Sequence, residues 1–469
     1  MVSRRLFSLS SRWRRYPEMS DEECVRVIAS TNTRAPIGTD CYDILAFSEN
    51  NPSLKFKDRT TDSSDLKEVF AKFDSSQPIS TEILSRTRYL CAKYLGGAWN
   101  RIRLDQFRLK AITGGMSNLL FLVELSSEVE SIGSEARQAL LRIQCQSDLD
   151  QLLTESVVFT LLSERCLGPK LLGVFPGGRF EQFIPSRPLQ CTEISKPMIG
   201  RIIAPMLARV HTLDVPITKE PEVMNCARSW LTKFRLTAGG ARPIDIRCTA
   251  ARVPPHCYPT AITCDQLEEE LNFVEDFLAK SKSPVVFSHN DLQEGNILLF
   301  ADYHLDIDGT VRSRSGEKAD IDPLVLIDFE YCSYNYRGFD LGNHFCEYGF
   351  DYNCDQPPYY KIYGEMFEVD QERRNFCEAY RDEVYKMRDT GENPHFPSDL
   401  VTGNREADLA RLVTESTLFM AVSNIYWSCW ALLNAEDAFI QFDYGSYARD
   451  RLALYYQQKA SLKSFMDSQ

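Results

Sequence analysis

The sequence predicts an α+β protein in which a small region rich in β-strands precedes a large, mainly helical region. Short apolar runs separated by glycine turns fill residues 80–185, as in "FRLKAITGGMSNLLFLVEL". Beyond residue 185, apolar residues recur at helical spacing, most clearly in "DQLEEELNFVEDFLAKSK". We therefore predict an N-terminal segment over 1–79, largely irregular or disordered, a strand-rich lobe over 80–185 and a helical lobe over 186–469.

The composition is that of an ordinary globular protein, and it excludes some function classes. The 469 residues are 43% hydrophobic and carry a net charge of −13. This charge argues against general nucleic-acid binding, which needs a basic surface. No apolar run has the length of a membrane span. The 15 cysteines include no C-x-x-C pair, so we expect free thiols rather than a metal cluster.

The N-terminus carries an unusual charge pattern. "MVSRRLFSLSSRWRRYP" contains five arginines and several serines but no acidic residue. That composition is typical of a mitochondrial transit peptide, whereas the alternative is a disordered basic tail upstream of Met19. We favour the tail, so the expected localisation is cytoplasmic and mitochondrial targeting is the alternative.

The strand-rich lobe begins with a helix. Ser80 or Thr81 can cap this helix, and Gly96-Gly97 can end it. Three strands and a second helix, "LLTESVVFTLLSERCLG", are predicted to follow. Two further strands flank the turn Pro176-Gly177-Gly178.

The helical lobe contains two short strands around a polar loop. In "FSHNDLQEGNILL" the apolar ends predict strands, and the middle is almost entirely polar. Asp308-Gly309 predicts a hairpin further along the chain. "LVLIDF" predicts a buried strand that ends at Asp328, and the chain then becomes helical again up to its end.

Two aspartates that follow apolar strands indicate phosphoryl transfer. Asn296 lies five residues after Asp291, and Asp328 follows a later strand. In such a set the first aspartate accepts the proton of an attacking hydroxyl, while the asparagine and the second aspartate hold Mg²⁺. Each aspartate alone would more readily be a turn or cap residue. His289, two residues before Asp291, is expected to be a hydrogen-bonded scaffold residue.

The strand-rich lobe offers candidate partners for phosphate. The turn from Gly114 to Asn118 could present backbone N–H groups, although it is not a G-x-G-x-x-G loop and hairpin glycines are common. Arg142 lies in the middle of a strand and needs a partner if it is buried. Glu155, on the next helix, is the predicted ion-pair partner, whereas the alternative is an arginine that extends into solvent.

Four segments resemble the choline/ethanolamine kinase family from about Thr81 to the C-terminus. They are "TGGMSNLLF", "LGPKLLGVFPGGRFEQFIPSR", "SHNDLQEGNILL" and "LVLIDFEYCSYNYRGFDLGNHFCEY". The resemblance implies a bilobal protein-kinase-like fold and transfer of the γ-phosphate of MgATP to choline or ethanolamine. It also implies a cytoplasmic enzyme of phospholipid synthesis that is commonly a homodimer.

The resemblance implies a role for each matching position. Asp291 would be the catalytic base, Gln293 would brace the loop, Asn296 and Asp328 would bind Mg²⁺, and Glu330 would support the metal. The residues implied for ATP are Gly114, Gly115, Met116, Ser117, Asn118, Arg142, Glu155, Gln182, Phe183, Ile184 and Asp328. The residues implied for choline, beside Asp291, are Tyr331, Tyr352, Trp427, Trp430, Phe442 and Tyr447.

The aromatic residues bear on the choice of acceptor. A quaternary ammonium has no N–H to donate, so its recognition needs aromatic faces, worth about 0.5–2 kcal/mol each. Trp427 and Trp430 share one helix face, although an aromatic stripe on an apolar helix is commonly packed core. We therefore expect a preference for choline. The alternatives are an ethanolamine kinase, another small-molecule kinase such as an aminoglycoside phosphotransferase, and a catalytically silent choline-binding pseudokinase.

Overall fold

The computed structural model describes residues 68–70, 73, 77–112, 118–144, 149–316, 322–391, 393, 396–435 and 442–469. These residues form two compact units. The first contains the described residues before Leu149 together with Lys170–Phe183, and the second contains Leu149–Pro169 and Ile184–Gln469. Residues 149–169 thus belong to the second unit, whereas we predicted them in the strand-rich lobe.

The first unit is a five-stranded antiparallel sheet with a helix. The strand order is β1-β2-β3-β5-β4. The elements are α1 (Thr81–Tyr94), a 3-10 helix (Gly97–Arg101), β1 (Phe107–Ile112), β2 (Asn118–Leu125), β3 (Gln138–Gln144), β4 (Leu171–Phe175) and β5 (Gly178–Gln182).

Local sequence explains the limits of α1. The Ser80 hydroxyl accepts the N–H of Ile83 at 3.2 Å, as an N-cap does. Gly96 and Gly97 follow the helix with φ of 67° and 53°, a conformation that disfavours other residues. Phe70, from the segment predicted to be irregular, is 1% exposed in the core of this unit. The rest of that segment lies almost entirely outside the described residues.

The second unit is mainly helical. Its helices are α2 (Leu149–Glu164), α3 (Cys191–Ile194), α4 (Pro197–His211), α5 (Val223–Arg235), α6 (Cys264–Ser281), α7 (Arg337–Glu347), α8 (Asp370–Thr390), α9 (Arg405–Asn434) and α10 (Tyr444–Asp467). The long α9 packs against α5, α7, α8 and α10. The predicted class, with a small antiparallel sheet followed by a mainly helical region, is confirmed. Within the described part of the chain, no helix has the length and apolar character needed to cross a bilayer.

Short strands of the second unit position its polar loops. They are β6 (Ser186–Pro188), β7 (Ile244–Asp245), β8 (Ala261–Ile262), β9 (Val285–Ser288), β10 (Ile297–Phe300), β11 (Tyr303–Leu305), β12 (Val311–Ser313), β13 (Leu324–Leu326), β14 (Ser333–Tyr336), β15 (Phe350–Asp351) and β16 (Lys361–Ile362). β10 pairs with β13 and β6, while β9 pairs with β14. The predicted hairpin is confirmed between β11 and β12, where Gly309 has φ of 86°.

Candidate active site

Asn290 anchors the loop between β9 and β10. It is 2% exposed and has a left-handed φ of 65°. Its Nδ2 donates to the Tyr331 carbonyl at 2.8 Å and to the Ser333 hydroxyl at 2.9 Å, and its Oδ1 accepts from Asn335 at 2.9 Å. Because short polar side chains tolerate this backbone region when they are hydrogen-bonded locally, Asn290 sets the direction in which the chain enters Asp291.

A buried carboxylate on α7 holds the start of the same loop. Asp340 accepts the backbone N–H groups of His289 at 2.7 Å and Asn290 at 2.8 Å. It also accepts His211 Nε2 at 2.9 Å, and His211 Nδ1 lies 2.7 Å from the Tyr380 hydroxyl. Burial acts to raise the pKa of Asp340, but the hydrogen bonds from His211 and from the backbone N–H of His289 outweigh it and lower this pKa.

His289 is a structural member of the loop. Its Nε2 lies 3.0 Å from the Ile327 carbonyl, and its Nδ1 accepts the N–H of Asp291 at 3.3 Å. The ring also packs against Phe329, with centroids 4.8 Å apart. Burial lowers the pKa of this imidazole, so the neutral form is favoured. His289 is hydrogen-bonded as expected of a scaffold residue, and its lack of a catalytic role stays a prediction.

Asp291 and Asn296 are joined directly. Asn296 Nδ2 donates to both Asp291 Oδ2 and the Asp291 carbonyl, each at 2.8 Å. Gln293 Oε1 accepts the N–H of Gly295 at 2.9 Å and thereby closes the turn between the two residues. The predicted roles of these three residues in catalysis stay predictions, but the loop holds them in one hydrogen-bonded arrangement.

Carboxylates crowd around Asp291. Burial raises its pKa well above the usual value, and the charges of Glu347, Asp328 and Glu330 raise it further. Like charges this close favour a bound cation, because the cation removes their mutual repulsion. The residues present therefore fit a metal ion or a cationic substrate.

Asp328 lies at the end of β13, as predicted, and in a strained conformation. Its φ and ψ are 63° and 62°, and it precedes the 3-10 helix Phe329–Tyr331. The Ile327 N–H donates to the Asn296 carbonyl at 3.0 Å, which joins the two acidic loops.

The described residues contain no group of three or more His, Cys, Asp or Glu side chains that could hold a metal ion by themselves. Mg²⁺ typically takes only one or two protein carboxylates together with phosphate oxygens, so its assignment to Asn296, Asp328 and Glu330 stays a prediction.

The six aromatic residues predicted for choline lie in one continuous cluster. Their ring centroids are 5.4 Å apart for Tyr331–Trp427, 5.5 Å for Trp427–Trp430, 5.4 Å for Phe442–Tyr447 and 6.3 Å for both Tyr352–Phe442 and Tyr352–Tyr447. Tyr444 links the two halves and was missed by the sequence analysis. We call these seven residues the aromatic cluster.

One end of the aromatic cluster lies beside the carboxylates of the two acidic loops. Burial and then the charges of Glu330 and Asp291 raise the pKa of Tyr331. Trp427 is also tied to the loop through Asn343, whose Oδ1 accepts Trp427 Nε1 at 2.8 Å and whose Nδ2 lies 3.4 Å from the Asn290 carbonyl. The choline-binding role of the cluster stays a prediction.

The sequence analysis missed a buried ion pair beside Tyr352 and Tyr447 of the cluster. Glu347 and Arg451 are 3% and 0% exposed, and Glu347 Oε1 accepts Arg451 Nη2 at 2.5 Å. Tyr352 donates its hydroxyl to Glu347 Oε2 at 2.8 Å. Every residue of α7 is buried, but "GFDLGNHFCE" mixes apolar and polar residues, so its own segment carried no signal that could have identified Glu347.

The first unit contains a second buried charge cluster. Arg142, on β3, is paired across the sheet with Arg179 on β5, and both donate Nε to Glu181 Oε1, at 2.9 Å and 2.7 Å. Although burial opposes the shift, the two arginines lower the pKa of Glu181. Glu181 was missed by the sequence analysis. The predicted partner of Arg142, Glu155, lies on α2 of the second unit, and its pairing stays a prediction.

The remaining nucleotide residues are described only in part. Gly114, Gly115, Met116 and Ser117 lie outside the described residues, and Asn118 is the first residue of β2. Gln182 ends β5 and donates its N–H to the Lys170 carbonyl at 2.8 Å. Phe183 is half-buried and Ile184 is buried. Their assignment to adenine stays a prediction.

Comparison with known sequences identifies the family. The model of the choline/ethanolamine kinase family matches residues 109–456. Choline kinase A2 of Caenorhabditis elegans is 40% identical over 425 residues, which cover 86% of this chain and 92% of the relative. A choline/ethanolamine kinase of Homo sapiens is 36% identical over 395 residues, which cover 83% of this chain and 90% of the relative.

Solved structures agree in fold. A choline kinase of Cryptosporidium parvum superposes with a TM-score of 0.60 at 23% identity, covering 81% of this chain and 96% of that chain. An ethanolamine kinase of Plasmodium vivax superposes with a TM-score of 0.58 at 20% identity, covering 86% and 96%. The predicted protein-kinase-like fold is thus confirmed. With the family model and the relatives in agreement, the chain belongs to the choline/ethanolamine kinase family.

Proposed function

We propose that this protein is a choline kinase, which transfers the γ-phosphate of ATP to the hydroxyl of choline and forms phosphocholine for phosphatidylcholine synthesis. The observation that carries the proposal is the aromatic cluster, one end of which lies beside a partly exposed carboxylate, Asp291. Aromatic faces suit a quaternary ammonium, and a carboxylate beside them can accept the proton of its hydroxyl.

Asp291 acts as the general base in this proposal. The hydroxyl oxygen of choline forms a bond to the γ-phosphorus, the bond from that phosphorus to the oxygen bridging it to the β-phosphate breaks, and ADP leaves. The hydroxyl proton passes to Asp291 Oδ1, because Oδ2 already accepts Asn296 Nδ2. The raised pKa of Asp291 strengthens it as a base, and the positive charge of bound choline favours its ionised form.

The same proposal assigns the remaining groups around the phosphates. Asn296, Asp328 and Glu330 would hold Mg²⁺, which would supply charge neutralisation for the phosphate oxygens. Arg142 would contact a phosphate, since a buried guanidinium is suited to that partner. Gln182, Phe183 and Ile184 would contact adenine. A homodimer and a cytoplasmic localisation remain predictions from family resemblance.

Ethanolamine is the second candidate acceptor, because relatives in human, rat and mouse are named choline/ethanolamine kinases. The chemistry of the aromatic cluster favours choline. A primary ammonium is strongly hydrated and needs hydrogen-bond acceptors when it is buried, whereas a trimethylammonium group needs none. We therefore propose a higher kcat/KM for choline than for ethanolamine.

ADP release by the purified chain tests the proposal. The assay uses ATP and Mg²⁺ with choline, with ethanolamine or with no acceptor, and Asp291→Asn serves as the matched inactive control. We expect choline-dependent ADP release that exceeds the rate with ethanolamine. Equal ADP release with and without choline would reject the enzyme in favour of a silent binding protein, and a higher kcat/KM for ethanolamine would reject the acceptor preference.

A further inference from the structure

Arg451 is a full positive charge buried within a cluster that we assign to a cation. Its guanidinium donates Nη2 to Glu347, Nε to the Tyr447 hydroxyl at 2.9 Å and Nη1 to Asn424 Oδ1 at 3.1 Å. Its central carbon lies 3.8 Å from the centroid of the Phe350 ring. A charge in this place repels a cationic substrate unless it is neutralised, so its presence needs an explanation beyond attraction of choline.

Glu347 is the group that Arg451 neutralises. One carboxylate oxygen accepts the Arg451 ion pair, and the other accepts the Tyr352 hydroxyl at 2.8 Å. Tyr352 and Tyr447 hydroxyls lie 3.1 Å apart, so the two rings, the acid and the arginine form one network. Both oxygens of Glu347 therefore already have a strong donor before any acceptor substrate enters.

A carboxylate whose two oxygens already accept hydrogen bonds discriminates between choline and ethanolamine. A primary ammonium has three N–H donors that lose water on burial, and hydrogen bonds involving a charged group are stronger than those between neutral groups. A trimethylammonium group loses no hydrogen bond on burial, and aromatic faces are sufficient for it. We propose that Arg451 is a specificity-determining residue that favours choline over ethanolamine by engaging Glu347 and holding Tyr352 and Tyr447. The inference rests on the proposed function.

The test is the ratio of kcat/KM for choline to kcat/KM for ethanolamine, measured on the full chain with MgATP. Arg451→Met releases Glu347, so we expect the ratio to fall by about tenfold or more, a difference of about 1.4 kcal/mol. Arg451→Lys keeps a positive charge beside Glu347 and should restore most of the preference. The double variant Glu347→Gln with Arg451→Met has no carboxylate to release, so its ratio should stay near that of the wild type.

Tyr352→Phe is a milder test for the case in which Arg451→Met does not fold. It frees one oxygen of Glu347 while it keeps the ring and the ion pair, so the ratio should fall by a smaller factor. The inference is overturned if Arg451→Met and Tyr352→Phe change both acceptors by equal factors, or if the double variant loses the preference as well. A wild type that phosphorylates neither acceptor, or that prefers ethanolamine, overturns the proposed function and this inference together.

Discussion

The loop between β9 and β10, which carries Asp291 and Asn296, and the aromatic cluster are neighbours that are positioned by different forces. The loop is held by directional hydrogen bonds from buried polar groups, with Asp340, Asn290 and Asn296 each making at least two. The cluster is held mainly by edge-to-face packing of rings, with the Glu347–Arg451 network at one end. Proton transfer requires one geometry, whereas recognition of a trimethylammonium group requires only apolar faces at the correct separation. Substitutions should therefore affect rate in the loop and acceptor affinity in the cluster.

The largest expected effect is that of Asp291→Asn. This substitution keeps the shape of the side chain but removes the proton acceptor, so kcat should fall roughly 10²–10⁴-fold. ATP affinity, measured by calorimetry, should stay within about twofold of that of the wild type. A loss of ATP affinity together with the loss of kcat would indicate a folding defect. Turnover near the wild-type rate would show that Asp291 is not the base. It would also contradict the expectation that substitutions in the loop affect rate.

Asp340→Asn tests whether hydrogen bonds to the loop backbone control rate. The amide is neutral and keeps only one acceptor oxygen, so all three donors to Asp340 lose a charged partner and at least one of them loses its acceptor. The free energy of unfolding should therefore decrease by at least about 1.5–3 kcal/mol. We expect kcat to fall more than KM for choline rises. Asp382→Asn, at exposed ion pairs on α8, is the control and should change stability by less than about 1 kcal/mol in denaturant titrations.

We expect the stability of the protein to depend on pH through His344, a buried histidine of α7 that contacts the loop. Burial lowers the pKa of this imidazole to about 4, and its Nδ1 lies 2.9 Å from the Leu292 carbonyl. An unfolded histidine has a pKa of about 6.5, so the unfolded state binds more protons below that pH and stability is lost as pH falls from about 6.5 toward 4. The loss at pH 5 relative to pH 7 should be about 2 kcal/mol.

His344→Asn keeps a donor for the Leu292 carbonyl but cannot be protonated in this range. Its free energy of unfolding should therefore depend less steeply on pH between 4 and 6.5 than that of the wild type. His289, whose pKa is also lowered by burial, stays in place and accounts for part of the remaining slope. Parallel curves for variant and wild type would contradict the assignment to His344.

The smallest expected effect concerns the face of a single ring. Trp427→Leu should raise KM for choline by roughly 2–30-fold, the equivalent of about 0.5–2 kcal/mol, with little change in KM for ethanolamine. Trp427→Phe keeps an aromatic face but loses the hydrogen bond to Asn343. Its KM for choline should therefore lie between that of the wild type and that of Trp427→Leu. Equal increases in KM for choline and for ethanolamine would mean that Trp427 is packed core. The functional contrast between the two regions would then rest on the loop alone.

The loop was easier to predict than its supports. Asp291 and Asn296 lie in one short loop between β9 and β10, so their proximity follows from local sequence, and the family motif identified Asp328 at the end of β13. The pairing of β10 with β13 is what brings the two acidic loops together. Asp340 and His211 lie in helices about 50 and 80 residues away, and nothing in their own segments indicates that they meet at this loop. Glu181 was missed for the same reason, because the pairing of β3 with β5 is what brings it to Arg142.

Sequence alone determined the class of elements, the order of the two acidic loops and the residue types of the aromatic cluster. These properties depend on residue spacing, on turn chemistry and on a family resemblance carried by contiguous motifs. The tertiary structure decided which buried polar groups meet: Asp340 with the loop backbone, Asn343 with Trp427, and Arg451 with Glu347. A buried charge selects its partner through the packing of whole helices, and helix packing is a property of the folded chain rather than of any one segment.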